Sequence, residues 1–431
     1  MVTGGRSVQQ KPSDRSIGRR RLCELAKAAA FAAAELPTHR AAVGLMWTGR
    51  GTGHPDPPPH RLTPCPPGGT VGHRVPVSGI AVTTPVELIV GPARSGKAGR
   101  VLEAYCAALA EAGPGRALML VPTGLRRAET ERRLLAASPT GVLIRPQILT
   151  LPRMAERLLT AAGRTVRRIH ELARRRVIRD ALDTLDEKAS AALGEVRTAP
   201  GLIDAIDGLL RELKAARVEP DRFGKAVADH LRTPRNRLLV LLYDAYQRRL
   251  QDLDLYDDQG QFWHAAALLA GGETGPFVNL ALLAVDGFQH FDPAQLVVLD
   301  ELSKRSDRTL ITLTWEADRP ELFSVPGRTR ERLRDRFGDR LTETAAADPG
   351  GLPAGLARLR THLFVPPGAD EAPPAADGSV AVIEAAGRTR EMEEVARRAV
   401  DLVRGGATAP GAVAVIARSL EVYGPLAREV F

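Results

Sequence analysis

Residues 91 to 98 read Gly91-Pro92-Ala93-Arg94-Ser95-Gly96-Lys97-Ala98, a G-x-x-x-x-G-K-[ST] loop in every place except the last. Such a loop cradles phosphate only between a strand and a helix, because its backbone N–H groups must converge on the anion from a helix N-terminus. Both flanks are present. Val86-Glu87-Leu88-Ile89-Val90 is a short apolar run ending at Gly91, and Gly99 to Ala112 carries Val101, Leu102, Tyr105, Ala108 and Leu109 at helical spacing before Gly113-Pro114-Gly115 stops it. The loop therefore predicts a nucleotide or phosphate site, with backbone N–H groups and the Lys97 ammonium around the phosphates. Ala98 stands where a Ser or Thr hydroxyl would hold Mg²⁺. The cradle is written without its metal hook, and a glycine-rich turn that binds nothing is the structural alternative.

The pattern after the loop predicts a parallel sheet. Arg116 to Val121 reads as a buried strand ending at Pro122-Thr123, and Leu125 to Ala137 as a charged amphipathic helix. Strand, helix, strand, helix implies right-handed parallel crossovers. Val142 to Ile144 and Ile148 to Leu149 are expected to add a short edge, ahead of a helix from Pro152 to Ala162. Between residues 165 and 272 the style changes to long helical periods with few β-branched runs, which predicts an all-helical insertion; Ile203, Ile206, Leu209, Leu210 and Leu213 form one of its stripes. Strands are expected again at Leu280 to Asp286, Leu310 to Thr314, Val380 to Glu384 and Ala412 to Ile416, with helices over Pro293 to Lys304 and Thr389 to Val403, and loops through much of 317 to 377. The expected division is a leader over 1–80, the first half of an α/β domain over 81–164, the helical insertion over 165–272, and the second half of the α/β domain with the start of a further region over 273–431.

Charge adds little about the folded part. The net charge is +9, but residues 1–80 alone hold eleven Lys/Arg against four Asp/Glu, with ten of the 32 prolines. Disorder, or an over-extended start of the reading frame, is the expectation for that leader. No run of about 18 uncharged apolar residues occurs, so no membrane span is expected. Cys23, Cys65 and Cys106 are scattered, which fits neither a disulfide framework nor a metal cluster and makes a reduced, cytoplasmic setting the default.

Two further features carry chemistry. The strand ending at Asp286 places a carboxylate where a Mg²⁺-holding acid belongs, although a strand-terminal Asp is also a common cap; the next residue is Gly287, where a motor would have Glu. Arg174, Arg175, Arg176 and Arg179 form a basic cluster on one helix, suited to DNA phosphates or to a solvated face.

Four segments resemble the B-type component of ATP-dependent helicase-nucleases, the AddB or RexB type of the superfamily 1 helicase-like proteins. They are Ile89 to Lys97, Leu120-Val121-Pro122-Thr123 with the helix bearing Glu129, Arg132 and Leu134, Val285-Asp286-Gly287-Phe288-Gln289-His290-Phe291, and Arg388 to Arg398 followed by Val413 to Arg418. The resemblance covers about residues 84–431 and implies a P-loop NTPase, RecA-like sheet of helicase domain 1A type with a 1B-type insertion. It implies action on double-strand DNA ends and single strands, with an A-type helicase-nuclease subunit as partner and the B-type chain as scaffold more than motor. It gives Gly91, Gly96 and Lys97 as phosphate ligands of ATP, with Ser95 as a loop N–H donor, and places Arg418 near a γ-phosphate. The family's iron-sulphur cluster and nuclease are not expected here, since no cysteine follows Cys106 and no nuclease pattern is visible. The chain stops at Phe431, where a second motor domain would ordinarily continue. Two rivals remain open: an active ATP-dependent DNA translocase that holds Mg²⁺ through Asp286 and another residue, and an unrelated P-loop module.

Overall fold

The computed structural model describes residues 84–431 apart from 139–140, 187–192, 195–198, 200, 231–232, 273–274, 348–349, 365–376 and 407. The leader expected over 1–80, with Cys23 and Cys65, lies outside the described residues. Those up to Ala347 belong to one compact unit and those from Gly350 onward to another.

In the first unit the strands are β1 (Val86–Gly91), β2 (Ala117–Val121), β3 (Gln147–Thr150), β4 (Arg167–Arg168), β5 (Leu255–Tyr256), β6 (Leu282–Val285), β7 (Thr309–Thr314) and β8 (Leu341–Ala345). The helices are α1 (Lys97–Ala112), α2 (Gly124–Ala137), α3 (Leu151–Ala161), α4 (Glu171–Asp183), α5 (Leu202–Ala215), α6 (Pro220–His230), α7 (Pro234–Asp252), α8 (Gly260–Ala270), α9 (Pro293–Ser303) and α10 (Ser324–Phe337). Six strands form one sheet in the order β3-β2-β6-β7-β1-β8, parallel at every pairing. One strand, β7, therefore separates β1 from β6.

Sheet faces follow from alternation. Leu88, Val90, Leu118, Leu120, Leu283, Val285, Ile311 and Leu313 turn to one side, where α3, α8, α9 and α10 cover them. Ile89, Met119, Val121, Ala284 and Leu310 turn to the other, against Val101, Leu102 and Tyr105 of α1 and Leu134 of α2. Strands buried on both faces need continuous apolar runs, which is why β1, β2, β6 and β7 were legible. Tyr105 ties α1 to the sheet edge, its hydroxyl accepting the Gln147 N–H at 2.8 Å.

Between β3 and β6 a second core is built by α4, α5, α6 and α7, with Ile178, Ile206, Leu210, Leu242 and Tyr243 buried in it. Two departures from the expected all-helical stretch of 165–272 occur. A two-residue parallel pair, β4 with β5, closes this core, since Arg167 lies opposite Leu255 and the Ile169 N–H reaches the Tyr256 carbonyl at 2.9 Å. Helix α8, moreover, buries Phe262, Ala265 and Leu269 in the core of the sheet.

The edges of the sheet differ from expectation for one reason, that edge strands need little apolar surface. Val142 and Ile144 are exposed outside any strand, and only Gln147–Thr150 pairs with β2. Conversely Leu341-Thr342-Glu343-Thr344-Ala345, inside an expected loop region, forms β8 because β1 offers it an open edge. Its Glu343 is gripped by Arg330 of α10, itself unexpected, at 2.7 Å.

The second unit holds helices α11 (Ala354–His362), α12 (Arg388–Arg404) and α13 (Leu420–Val430). Val380–Glu384 and Ala412–Ile416, expected as strands, are not strands. Among the described residues of that unit there is no other strand to satisfy their backbone, and Val382 and Ile416 are exposed.

Candidate phosphate-binding site

The loop after β1 turns back on itself through three unusual residues. Gly91 has φ 157°, Arg94 φ 66° and Gly96 φ 78°, so the chain leaves β1 and enters α1 within five residues. Gly96 is the helix N-cap, with no side chain capping the first turn. The leading N–H groups of α1 thus lack intrahelical partners, the arrangement that attracts an anion.

Lys97 lies inside this loop. Its ammonium donates to the carbonyls of Gly91 (2.9 Å) and Pro92 (2.6 Å) and to Ser95 Oγ (2.9 Å), which uses all three of its protons. Burial holds its pKa below the ordinary lysine value, while the charges of Asp286 and Glu316 act in the opposite direction. Two acids therefore lie within electrostatic reach of the cradle. Both stand just beyond the carboxyl ends of their strands, Asp286 after β6 and Glu316 after β7, on the edge of the sheet where open α/β proteins bind ligands.

Asp286 is not free. Its Oδ1 accepts from Thr312 Oγ1 at 2.6 Å, and its Oδ2 takes the Arg126 guanidinium at 2.9 Å. Local sequence explains both partners. Thr123 ends the β2 segment as the N-cap of α2, accepting the Arg126 N–H at 3.1 Å, and this places Arg126 in the first turn facing the β6 terminus. Thr312 sits in the middle of β7 between β6 and β1, so its hydroxyl faces the end of β6, where it also accepts the Gly287 N–H at 3.3 Å.

Gly287 explains the missing Glu. Its φ is 84°, and a Cβ there would lie 3.5 Å from both Arg126 Nε and Pro122 Cδ. The contacts are of ordinary length, so what opposes a Glu there is the left-handed backbone it would have to adopt. Glu316 is likewise held by an arginine, Arg319 at 2.7 Å.

The site residues divide accordingly. Gly91 to Ala98 and Asp286 are brought together. Arg418 is an exposed residue of the other unit. The four arginines of α4 do not share one surface: Arg174 is buried and chelated by Asp207 (2.5 and 3.1 Å), Arg175 meets Asp204 (2.9 Å), Arg176 meets Asp180 (2.8 Å), and Arg179 is exposed. Arg174 thus holds α4 to α5, a role that removes it from any DNA surface. Arg126, Thr312 and Glu316 escaped the sequence reading, although Thr123, an N-cap residue just after a strand, marked the turn that delivers Arg126.

The loop fits a phosphate that takes one Lys97 proton from its loop partners: an uncapped helix start, a buried ammonium, and Gly96 with nothing within 4 Å of its Cβ direction. It does not fit the usual Mg²⁺. Ala98 has no hydroxyl, and Asp286 is already neutralised by the Arg126 guanidinium and bonded by Thr312.

Thr312→Val tests the second anchor. It leaves Asp286 and the Gly287 N–H without their hydroxyl partner, and an expected loss of about 1–3 kcal/mol in urea unfolding follows from the unsatisfied buried groups. A change under about 0.5 kcal/mol, the level of an ordinary surface substitution, would show that Thr312 holds neither group.

Fold and site define a parallel α/β protein with a tight glycine-bounded loop and an uncapped helix start at the carboxyl end of β1. The sequence model of the family described as "ADDB, N-terminal" matches residues 88–348. That is more than half of the chain, and the chain belongs to the AddB N-terminal family. Proteins named as the B component of an ATP-dependent helicase/deoxyribonuclease are similar to it. The one from Geobacillus thermodenitrificans is 26% identical over 371 residues, covering 80% of this chain and 31% of its own. The one from Symbiobacterium thermophilum is 28% identical over 382 residues, covering 80% and 31%, and the one from Moorella thermoacetica 27% over 371 residues, covering 80% and 32%. The chain thus spans about a third of the length of these relatives. No helix among the described residues is long and apolar enough to cross a membrane.

Proposed function

We propose that this chain acts as the B-type subunit of an ATP-dependent helicase-nuclease, working on double-strand DNA ends in recombinational repair with an A-type subunit. It supplies a nucleotide-binding scaffold and a DNA path, not a motor. The observation that carries this reading is the position of Lys97. A lysine buried in its own loop, at the carboxyl end of a strand one place removed from the strand of Asp286, supports the reading of a RecA-like phosphate site, and the helical core between β3 and β6 supports that of a 1B-type insertion. Ala98 and Gly287 argue that hydrolysis is slow, since each missing group is of the kind that supplies several kcal/mol of transition-state stabilisation. In this reading Arg175, Arg176 and Arg179 are the residues of α4 left to meet DNA, and Arg418 is the residue that the family resemblance assigns to a γ-phosphate.

One experiment tests the cradle and the partnership together. A fluorescent ATP analogue titrated into the full chain is expected to bind at least tenfold more weakly to Lys97→Ala, while duplex DNA ends bind both proteins equally and an A-type subunit co-purifies with both. Equal nucleotide binding by the two proteins would sink the cradle, and failure to bind DNA or an A-type subunit would sink the complex. Glu316 is the observation that favours an active translocase, as a second acid near Lys97. DNA-stimulated ATP hydrolysis that Lys97→Ala abolishes would establish that alternative.

A further inference from the structure

We propose that this site takes a nucleoside triphosphate free of divalent metal, with the Arg126 guanidinium serving as the counter-cation beside Asp286. The proposal rests on the nucleotide-site reading of the loop and specifies what kind of nucleotide the site accepts.

Three observations converge on it. In a metal-dependent loop a hydroxyl follows the lysine and the strand-end acid is available to the cation or its water. Here the residue after Lys97 is Ala98, and the charge of Asp286 is already paired with Arg126, with Thr312 bonded to its other oxygen. Arg126 is placed there by the local fold: its own N–H is fixed by the Thr123 cap, and its Nε lies 3.5 Å from where a Cβ on Gly287 would stand. Finally, Asp286 is bonded to Thr312 of β7, which lies opposite Ile89 of the strand that leads into the loop, and its charge acts on Lys97, so the cation that neutralises Asp286 stands at the same edge of the sheet as the phosphate cradle.

The chemistry suits the exchange. A metal-free triphosphate carries more negative charge than its Mg²⁺ complex and needs fixed cations. Arginine remains protonated at every physiological pH and presents several N–H donors in a planar fork, so one edge can hold Asp286 while others meet phosphate oxygens. An unneutralised Asp286 would repel that phosphate. Arg126 therefore removes a repulsion and adds a donor with a single side chain.

The test is equilibrium binding of a ribose-labelled fluorescent ATP analogue to the full chain, in EDTA and in Mg²⁺, for the natural protein and for Arg126→Met, Arg126→Lys and Asp286→Asn. Expected are affinities within about twofold in the two buffers for the natural protein. Arg126→Met should weaken binding in EDTA by tenfold or more and become Mg²⁺-dependent, because a freed Asp286 can then take the cation. Arg126→Lys, which keeps the charge and guards against simple unfolding, should retain most of the affinity. Asp286→Asn is the sign test: it should tighten binding in EDTA, whereas a metal-holding Asp286 would give weaker binding in Mg²⁺. A natural protein that loses tenfold or more in EDTA, or an Arg126→Met variant unchanged in EDTA, overturns the counter-cation and leaves the cradle standing. Absence of binding in both buffers overturns the cradle and this proposal together.

Discussion

Lys214→Met is expected to cost the folded protein about 3–5 kcal/mol, the range seen when one partner of a buried ion pair is removed. Lys214, at the end of α5, is 1% exposed, and its ammonium meets Asp257 at 2.7 Å and Gln247 Oε1 at 2.9 Å between the rings of Tyr246 and Trp263. Burial pulls its pKa down and Asp257 pushes it back up, with burial the larger effect. Asp257 also accepts from Tyr246 Oη (3.0 Å) and from the Gly260 N–H (2.7 Å), which starts α8. Methionine fills the space of the lysine stem but leaves the carboxylate buried without its cation. Because α7 and α8 both lean on that carboxylate, the loss is felt in the helical core and the sheet core together. Chemical unfolding followed by circular dichroism measures it. The double variant Lys214→Met with Asp257→Asn keeps the acceptor for Gly260 while removing the stranded charge, and it should recover at least half of the loss. A single variant within about 1 kcal/mol of the natural protein would mean that the pair contributes no more than an exposed one.

Gly91→Ala is the second large effect. An added Cβ would stand 2.5 Å from the Ala346 carbonyl oxygen, which is backbone and cannot rotate away. The adjoining Ala346 N–H is bonded to the Val90 carbonyl at 2.7 Å, so relieving the clash means pulling β8 from β1. Unfavourable φ contributes about 1–3 kcal/mol and overpacking a similar amount. Gly96→Ala gives the contrast. Nothing lies within 4 Å of its Cβ direction, and only the left-handed φ of 78° is penalised, at about 1–2 kcal/mol. The first glycine of the loop is thus expected to be needed for the edge of the sheet and the second for the turn. Urea midpoints of the two variants in the same order of loss, Gly91→Ala well beyond Gly96→Ala, would bear this out; equal midpoints would refute it.

How far the sequence could be read follows from what each feature depends on. Strands β1, β2, β6 and β7 announced themselves because both faces are buried, so nearly every residue had to be apolar. Strand β8 did not, since an edge strand needs only the backbone groups of its neighbour and its Glu343 has an arginine to meet. The apolar runs at Val380 and Ala412 had a strand's composition without a strand's partner. The arginines of α4 looked equivalent in a linear reading, yet helical rotation sends Arg174 inward to Asp207 and leaves Arg179 outside.

By itself the sequence determined the strand–loop–helix unit at Lys97, the parallel alternation around it and the absence of a hydroxyl at position 98. These depend on backbone periodicity, glycine's conformational freedom and side-chain identity, all properties of a few neighbouring residues. Only the tertiary structure decided what surrounds the cradle. Arg126 of α2 and Asp286 after β6 are 160 residues apart, Thr312 comes from β7, and Lys214 at the end of α5 finds Asp257 in the turn between β5 and α8. Which charge neutralises which depends on the order in which the crossovers lay the strands side by side, and that order is set by the packing of whole faces, a property no short stretch of sequence contains.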